Sequence, residues 1–189
     1  MSNIVTKAIQ SVWDKTNNVL KISSTNNALA SINPVVTGSY TRPNDTNAYA
    51  ANDVVSDSTG TPTNLTIATG LTSGSSAIIT SARIRIDIAA IPAGMGGFRI
   101  ALFSSAPTAI NDNAAFDLID ADKAKLLDII DIDTPIDLGS RLWGTTKNIN
   151  SHIQLATANL YAQLITKNAY TPSAQDVFTI YLGLMEMRN

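Results

Sequence analysis

The chain has 189 residues, a formal net charge of −2 and no cysteine. A chain of that length buries a core without covalent staples, and the missing thiols exclude disulfides, thiolate metal sites and a cysteine nucleophile. Its 13 Lys and Arg form no clustered basic run, so no nucleic-acid partner is expected.

Charged residues make up only 15% of the chain, against 21 Thr, 17 Ser and 17 Asn. Thr favours strands, whereas Asn and Ser favour turns. The composition predicts an all-β protein with a neutral surface. Such a surface suits packing against other chains, because few charges need to be desolvated. The start, MSNIVTKAIQSVW, lacks the apolar core of a signal peptide. No later run approaches the ~18 apolar residues of a spanning helix, so no membrane partner is expected.

Residues 1–34 hold one short apolar alternation, Leu20 and Ile22, then the polar run SSTNN and Pro34. They read as an extended N-terminal arm or linker, with a first core strand as the alternative. Residues 35–189 read as the folded domain. VVTGSY (35–40) is a strand, and TRPNDTNAYAANDVVSDSTGTPTN is a long turn-rich loop with a short strand at Asp53–Val55. NLTIATGL (64–71) is a further strand. In SAIITSARIRIDIAAI (76–91), Ile84, Ile86 and Ile88 share one face while Arg83, Arg85 and Asp87 share the other. A period of two means one buried and one wet face. PAGMGG (92–97) reads as a hairpin-type loop into FRIALFSS (98–105).

Asp120 is placed to cap a short helix through Leu127, with Asp122 in its first turn. Strands follow at DIIDID (128–133), INSHIQLA (149–156), LYAQLITK (160–167) and VFTIYLGLMEM (177–187), with Asn159 in a tight turn. Many short strands at close spacing predict an antiparallel β-sandwich or jelly roll with one short helix.

The stretch DLIDADKAKLLDIIDID (117–133) carries six aspartates. A calcium loop needs alternate oxygen ligands and a glycine at its sixth position. Counting from Asp120, the sixth residue is Lys125; counting from Asp131, the fifth is Pro135. No metal site is assigned, and the later aspartates alternate with Ile130 and Ile132 as the solvent side of a strand. The single histidine, His152, lies on a strand with Ile153 and Leu155 on the opposite face, and no G-x-S-x-G elbow surrounds any serine. Gly94, Gly96 and Gly97 precede a strand rather than the helix a phosphate loop requires. No catalytic residue and no cofactor is assigned, and the chain does not read as an enzyme. Arg83 and Arg85 read as a solvated face with Asp87 as a local neighbour, with contact to an acidic partner as the alternative.

The segments YTRPNDTNAYAANDVVSDS (40–58), SARIRIDIA (81–89), FRIALFSSAPTAINDNAAFDLIDADKAK (98–125) and LYAQLITKNAYTPSAQDVFTIYLGL (160–184) follow in order along the chain. Together they resemble a family of tailed-bacteriophage virion structural proteins. Asn52 stands where the family pattern has Gly. The resemblance covers most of residues 38–189 and implies a β-sandwich or jelly-roll virion component. Within that family it implies a capsid decoration (cement) protein on the head exterior, made in the host cytoplasm, that stabilises contacts between major capsid subunits. A tail, neck or baseplate component and a carbohydrate-binding host-recognition module remain the alternatives. The partners so implied are the major capsid protein and further copies of the chain, as a trimer. Trp13, Leu29 and Trp143, apolar residues outside the predicted strands, are the candidate interface residues.

Overall fold

The computed structural model describes residues 34–187, together with two short strands before them, β1 (Trp13–Asp14) and β2 (Val19–Leu20). The chain divides into two compact units, Met1–Ser31 and Ile32–Asn189. In the first, β1 and β2 pair antiparallel with Trp13 opposite Leu20. Most of the expected N-terminal arm, Leu29 included, lies outside the described residues, as does the side chain of Trp13. Pro34 already belongs to the second unit, where its carbonyl accepts the Leu184 N–H at 3.1 Å.

The second unit is built from β3 (Val35–Thr41), β4 (Val54–Val55), β5 (Leu65–Ala68), β6 (Ser76–Ile86), β7 (Phe98–Phe103), β8 (Leu126–Ile132), β9 (Ile136–Asp137), β10 (Leu142–Gln154), β11 (Asn159–Thr166) and β12 (Val177–Met187). One sheet has the order β3-β12-β6-β10-β9. The other has the order β4-β11-β7-β8, with β5 also pairing with β11. Every pairing is antiparallel. The principal strands in chain order are β3, β5, β6, β7, β8, β10, β11 and β12. Numbered one to eight, they read 1-8-3-6 in one sheet and 2-7-4-5 in the other, the order of a jelly roll.

Alternation drives this packing. In β6 the inward Ile84 and Ile86 are fully buried, while Arg83 and Arg85 stay half-exposed on the other side. The inward residues of both sheets form one core, where Phe98 meets Phe178 edge to face at 6.1 Å and Tyr170 at 6.3 Å. β7 and β11 are buried on both faces. On their outer side Val54, Ala101, Phe103 and Ile165 form a second cluster, covered by Ile110, Phe116 and Leu118 of the 104–122 loop.

Three local expectations need correction. The short helix capped by Asp120 is a single 3-10 turn, Lys123–Lys125, preceded by Asp122, whose side chain caps nothing. Its carboxylate instead accepts the Thr108 N–H at 2.8 Å and pairs with Lys125 at 2.7 Å. Leu126 already pairs with Phe103, so tertiary strand pairing overrides helix propensity. PAGMGG is not a hairpin loop, because β6 and β7 lie in different sheets and the segment crosses between them. Its glycines are required by close approach: a Cβ at Gly97 would lie 2.1 Å from the Ile132 carbonyl, and one at Gly96 would meet the Asn168 side chain. The turn placed at Asn159 is likewise a crossing between sheets, and Asn159 is itself the first residue of β11.

The strand expected at 149–156 begins seven residues earlier, at Leu142. A bulge between Lys147 and Ser151 hides its first half from a period-two reading. Within it Asn148 (φ 58°) and Asn150 (φ 54°) adopt the left-handed conformation that asparagine tolerates better than most side chains. Asn52 is also left-handed (φ 69°).

Candidate functional site

Two features stand out in the sandwich, a buried polar clasp and an uncovered sheet face. The clasp starts at Arg42, directly after β3. Pro43 holds Arg42 out of helical backbone, and Asp45 closes the following turn by accepting the Asn47 N–H at 3.1 Å. The Arg42 side chain is thereby turned inward, and it is fully buried with that of Asp112. Its Nη2 donates to Asp112 Oδ2 at 2.7 Å and its Nε to the Tyr49 hydroxyl at 2.5 Å. Tyr49 donates in turn to Asp112 Oδ1 at 2.6 Å, and the Ser56 N–H donates to the same oxygen at 2.8 Å. Arg42 Nη1 donates to the Ser173 carbonyl at 2.9 Å. One guanidinium therefore ties three loops, 42–53, 104–122 and 170–176, at one end of the sandwich.

The electrostatics follow from burial. Burial alone pulls the Arg42 pKa down, but the hydrogen bond it donates to Asp112 and the neighbouring Tyr49 outweigh it, so the group is held charged. Burial, with Asp112 beside it, pushes the Tyr49 phenol well up. The network is satisfied and closed, with every Asp112 contact donated by the chain, and it acts as a structural fastener.

Asp176 borders the clasp and is buried, which raises its pKa from 3.8 to about 6, against the lowering effect of the Ser173 N–H bond and of Arg42. The folded state holds this proton more tightly than the unfolded chain does. The stabilisation is therefore complete below about pH 4 and is lost as pH rises to about 6. Asp176→Asn keeps an acceptor for Ser173 and removes the buried charge. The variant is expected to melt higher than the parent at pH 7.5 and level with it near pH 4, a comparison thermal denaturation at the two pH values makes directly.

The second feature is the outer face of the β3-β12-β6-β10-β9 sheet, which no other element of the second unit covers. Register places Ser39, Thr179, Arg85, Trp143 and Ile136 in one cross-strand row and Thr37, Tyr181, Arg83 and Thr145 in the next. Trp143 was expected outside the regular strands. It lies inside β10, half-buried, its ring 5.5 Å from Tyr181, because the bulge-masked part of that strand carries it. Arg85 donates to the Tyr181 hydroxyl at 3.0 Å and pairs with Asp87 at 3.0 Å, as the local-neighbour reading has it; Asp87 also takes Arg141 at 3.1 Å. At the sheet edge Ile136 and Leu138 are 59% and 60% exposed.

The other candidates are dispersed. His152 is exposed on the outer side of β10 opposite Ile78, lining a shallow open groove with Ser76, Gln154 and Met187. Among the aspartates of 117–133, Asp120 pairs with Lys123 at 2.5 Å, Asp122 with Lys125, and Asp131 with Lys167 at 3.2 Å and Arg99 at 3.5 Å. Among the described residues no group of three or more His, Asp or Glu is placed to hold a metal ion. Sequence reasoning missed Arg42 and Asp112. The one available signal was an arginine directly before a proline in a turn-rich segment.

Fold and surface together define an antiparallel jelly-roll sandwich with one open sheet face. No family model matches the chain, and no curated protein matches it. Among solved structures it is similar to a chain from a marine algae virus of the order Picornavirales, at 9% identity and a TM-score of 0.24, over 83% of this chain and 70% of that one. A likeness so slight carries no functional weight.

Proposed function

We propose that the chain is a structural component of a tailed-bacteriophage virion, a decoration (cement) protein on the head exterior that bridges major capsid subunits. The observation that supports this reading is the jelly-roll order with one sheet face left open, a fold that serves capsid shells and lectins alike. Fold does not imply function. The ordered sequence resemblance over residues 38–189 favours the virion. A protein that binds only the assembled lattice stabilises that lattice by mass action, and copies are expected to act as trimers. Attachment is assigned to residues 1–31, which form a unit of their own.

Purified protein added to empty shells is expected to appear by electron microscopy as density on the head exterior. The chain lacking residues 1–31 is expected to keep the melting temperature of the sandwich but to bind shells at least tenfold more weakly. Density on the tail would overturn the head assignment, and unchanged shell affinity of the truncated chain would overturn the attachment role.

A further inference from the structure

We infer that the open face of the β3-β12-β6-β10-β9 sheet docks the acidic 117–133 segment of a second copy of this chain, head to tail. The argument is one of charge. The open face carries four cations, Arg83, Arg85, Arg141 and Lys147, against the single carboxylate Asp87. Asp87 already serves Arg85 and Arg141, so Arg83 and Lys147 have no ion pair among the described residues. Elsewhere in residues 34–187 the balance is reversed. Five cations, Arg42, Arg99, Lys123, Lys125 and Lys167, stand against thirteen Asp and Glu. A basic, aromatic face on an otherwise acidic body fits an acidic occupant, and each copy presents one.

The densest acidic run on that body is 117–133, where Asp117, Asp128 and Asp133 have no ion pair among the described residues and Ile129 is 45% exposed beside them. Like charges would repel if two open faces met about a two-fold axis. Contact between unlike surfaces avoids this, and it generates rings or filaments rather than a two-fold dimer. Trp143 and Tyr181 supply the apolar area such a contact needs at its centre. The inference rests on the reading above only for the trimeric copy number.

The test uses the full chain and sedimentation velocity. The parent is expected to associate, less so at high salt, because exposed charges are screened. The double variant Arg83→Glu with Lys147→Glu changes two side chains outside the ion-pair network. It is expected to keep its melting temperature and lose self-association. A photo-crosslinking residue at position 147 of the parent is expected to capture peptides from 117–133 of another copy. A parent that stays monomeric at every concentration, a double variant that associates like the parent, or crosslinks within the open face itself would each overturn the inference. Shell imaging separates the two readings. A self-associating parent that binds no shell leaves this contact standing and removes the virion assignment. A parent that binds shells but never self-associates does the reverse.

Discussion

Arg42→Met is expected to lower the stability of the sandwich by about 3–5 kcal/mol, the cost of leaving a buried carboxylate without its counter-charge. For a chain of this size that corresponds to a fall of about 10 °C in Tm. The prediction rests on complete burial of both partners: Asp112 has no solvent to turn to once the 2.7 Å contact is gone. Three loops lose their common anchor at the same time, since Arg42 also holds Ser173 and Tyr49. Adding Asp112→Asn to Arg42→Met removes the stranded charge. The double variant is expected to cost less than the two single changes summed, by 1 kcal/mol or about that. Strict additivity in urea denaturation would show that the two side chains do not act as a pair.

Gly97→Ala is expected to cost about 3 kcal/mol, as severe as truncating a large core side chain, although it adds one methyl group. That methyl would sit 2.1 Å from the Ile132 carbonyl and 3.1 Å from Cδ of Lys167. Neither side can yield easily. Ile132 is held in β8 opposite Phe98, and the Gly97 carbonyl accepts the Lys167 N–H at 3.0 Å. Relief would require moving Phe98 in the middle of the aromatic core. Gly60→Ala is the matched control: its added methyl meets nothing within 4 Å, and its expected effect is within about 0.5 kcal/mol. Equal melting temperatures for the two variants would refute the close-approach account of the 92–97 segment.

What the amino-acid sequence determined by itself is most of the strand content and, where the alternation is unbroken, the inward face of the strand. Ile84 and Ile86 against Arg83 and Arg85 is a pattern only a half-buried strand satisfies, and the structure buries the isoleucines. The exposure of His152 opposite Ile153 follows from the same period of two. Partnership between strands is not a local property. Whether PAGMGG turns a hairpin or crosses between sheets depends on which strands β6 and β7 pair with, β10 and β12 for one and β8 and β11 for the other, up to about a hundred residues away. The start of β10 was hidden for a related reason. Its alternation is broken by a bulge, and its extended state is held by ten cross-strand partners on β6 rather than by its own pattern. Only the tertiary structure decided that Arg42 and Asp112, seventy positions apart, share one dry site. Either residue alone reads as an ordinary surface charge. Burying it becomes possible only when the fold delivers its counter-charge to hydrogen-bonding distance.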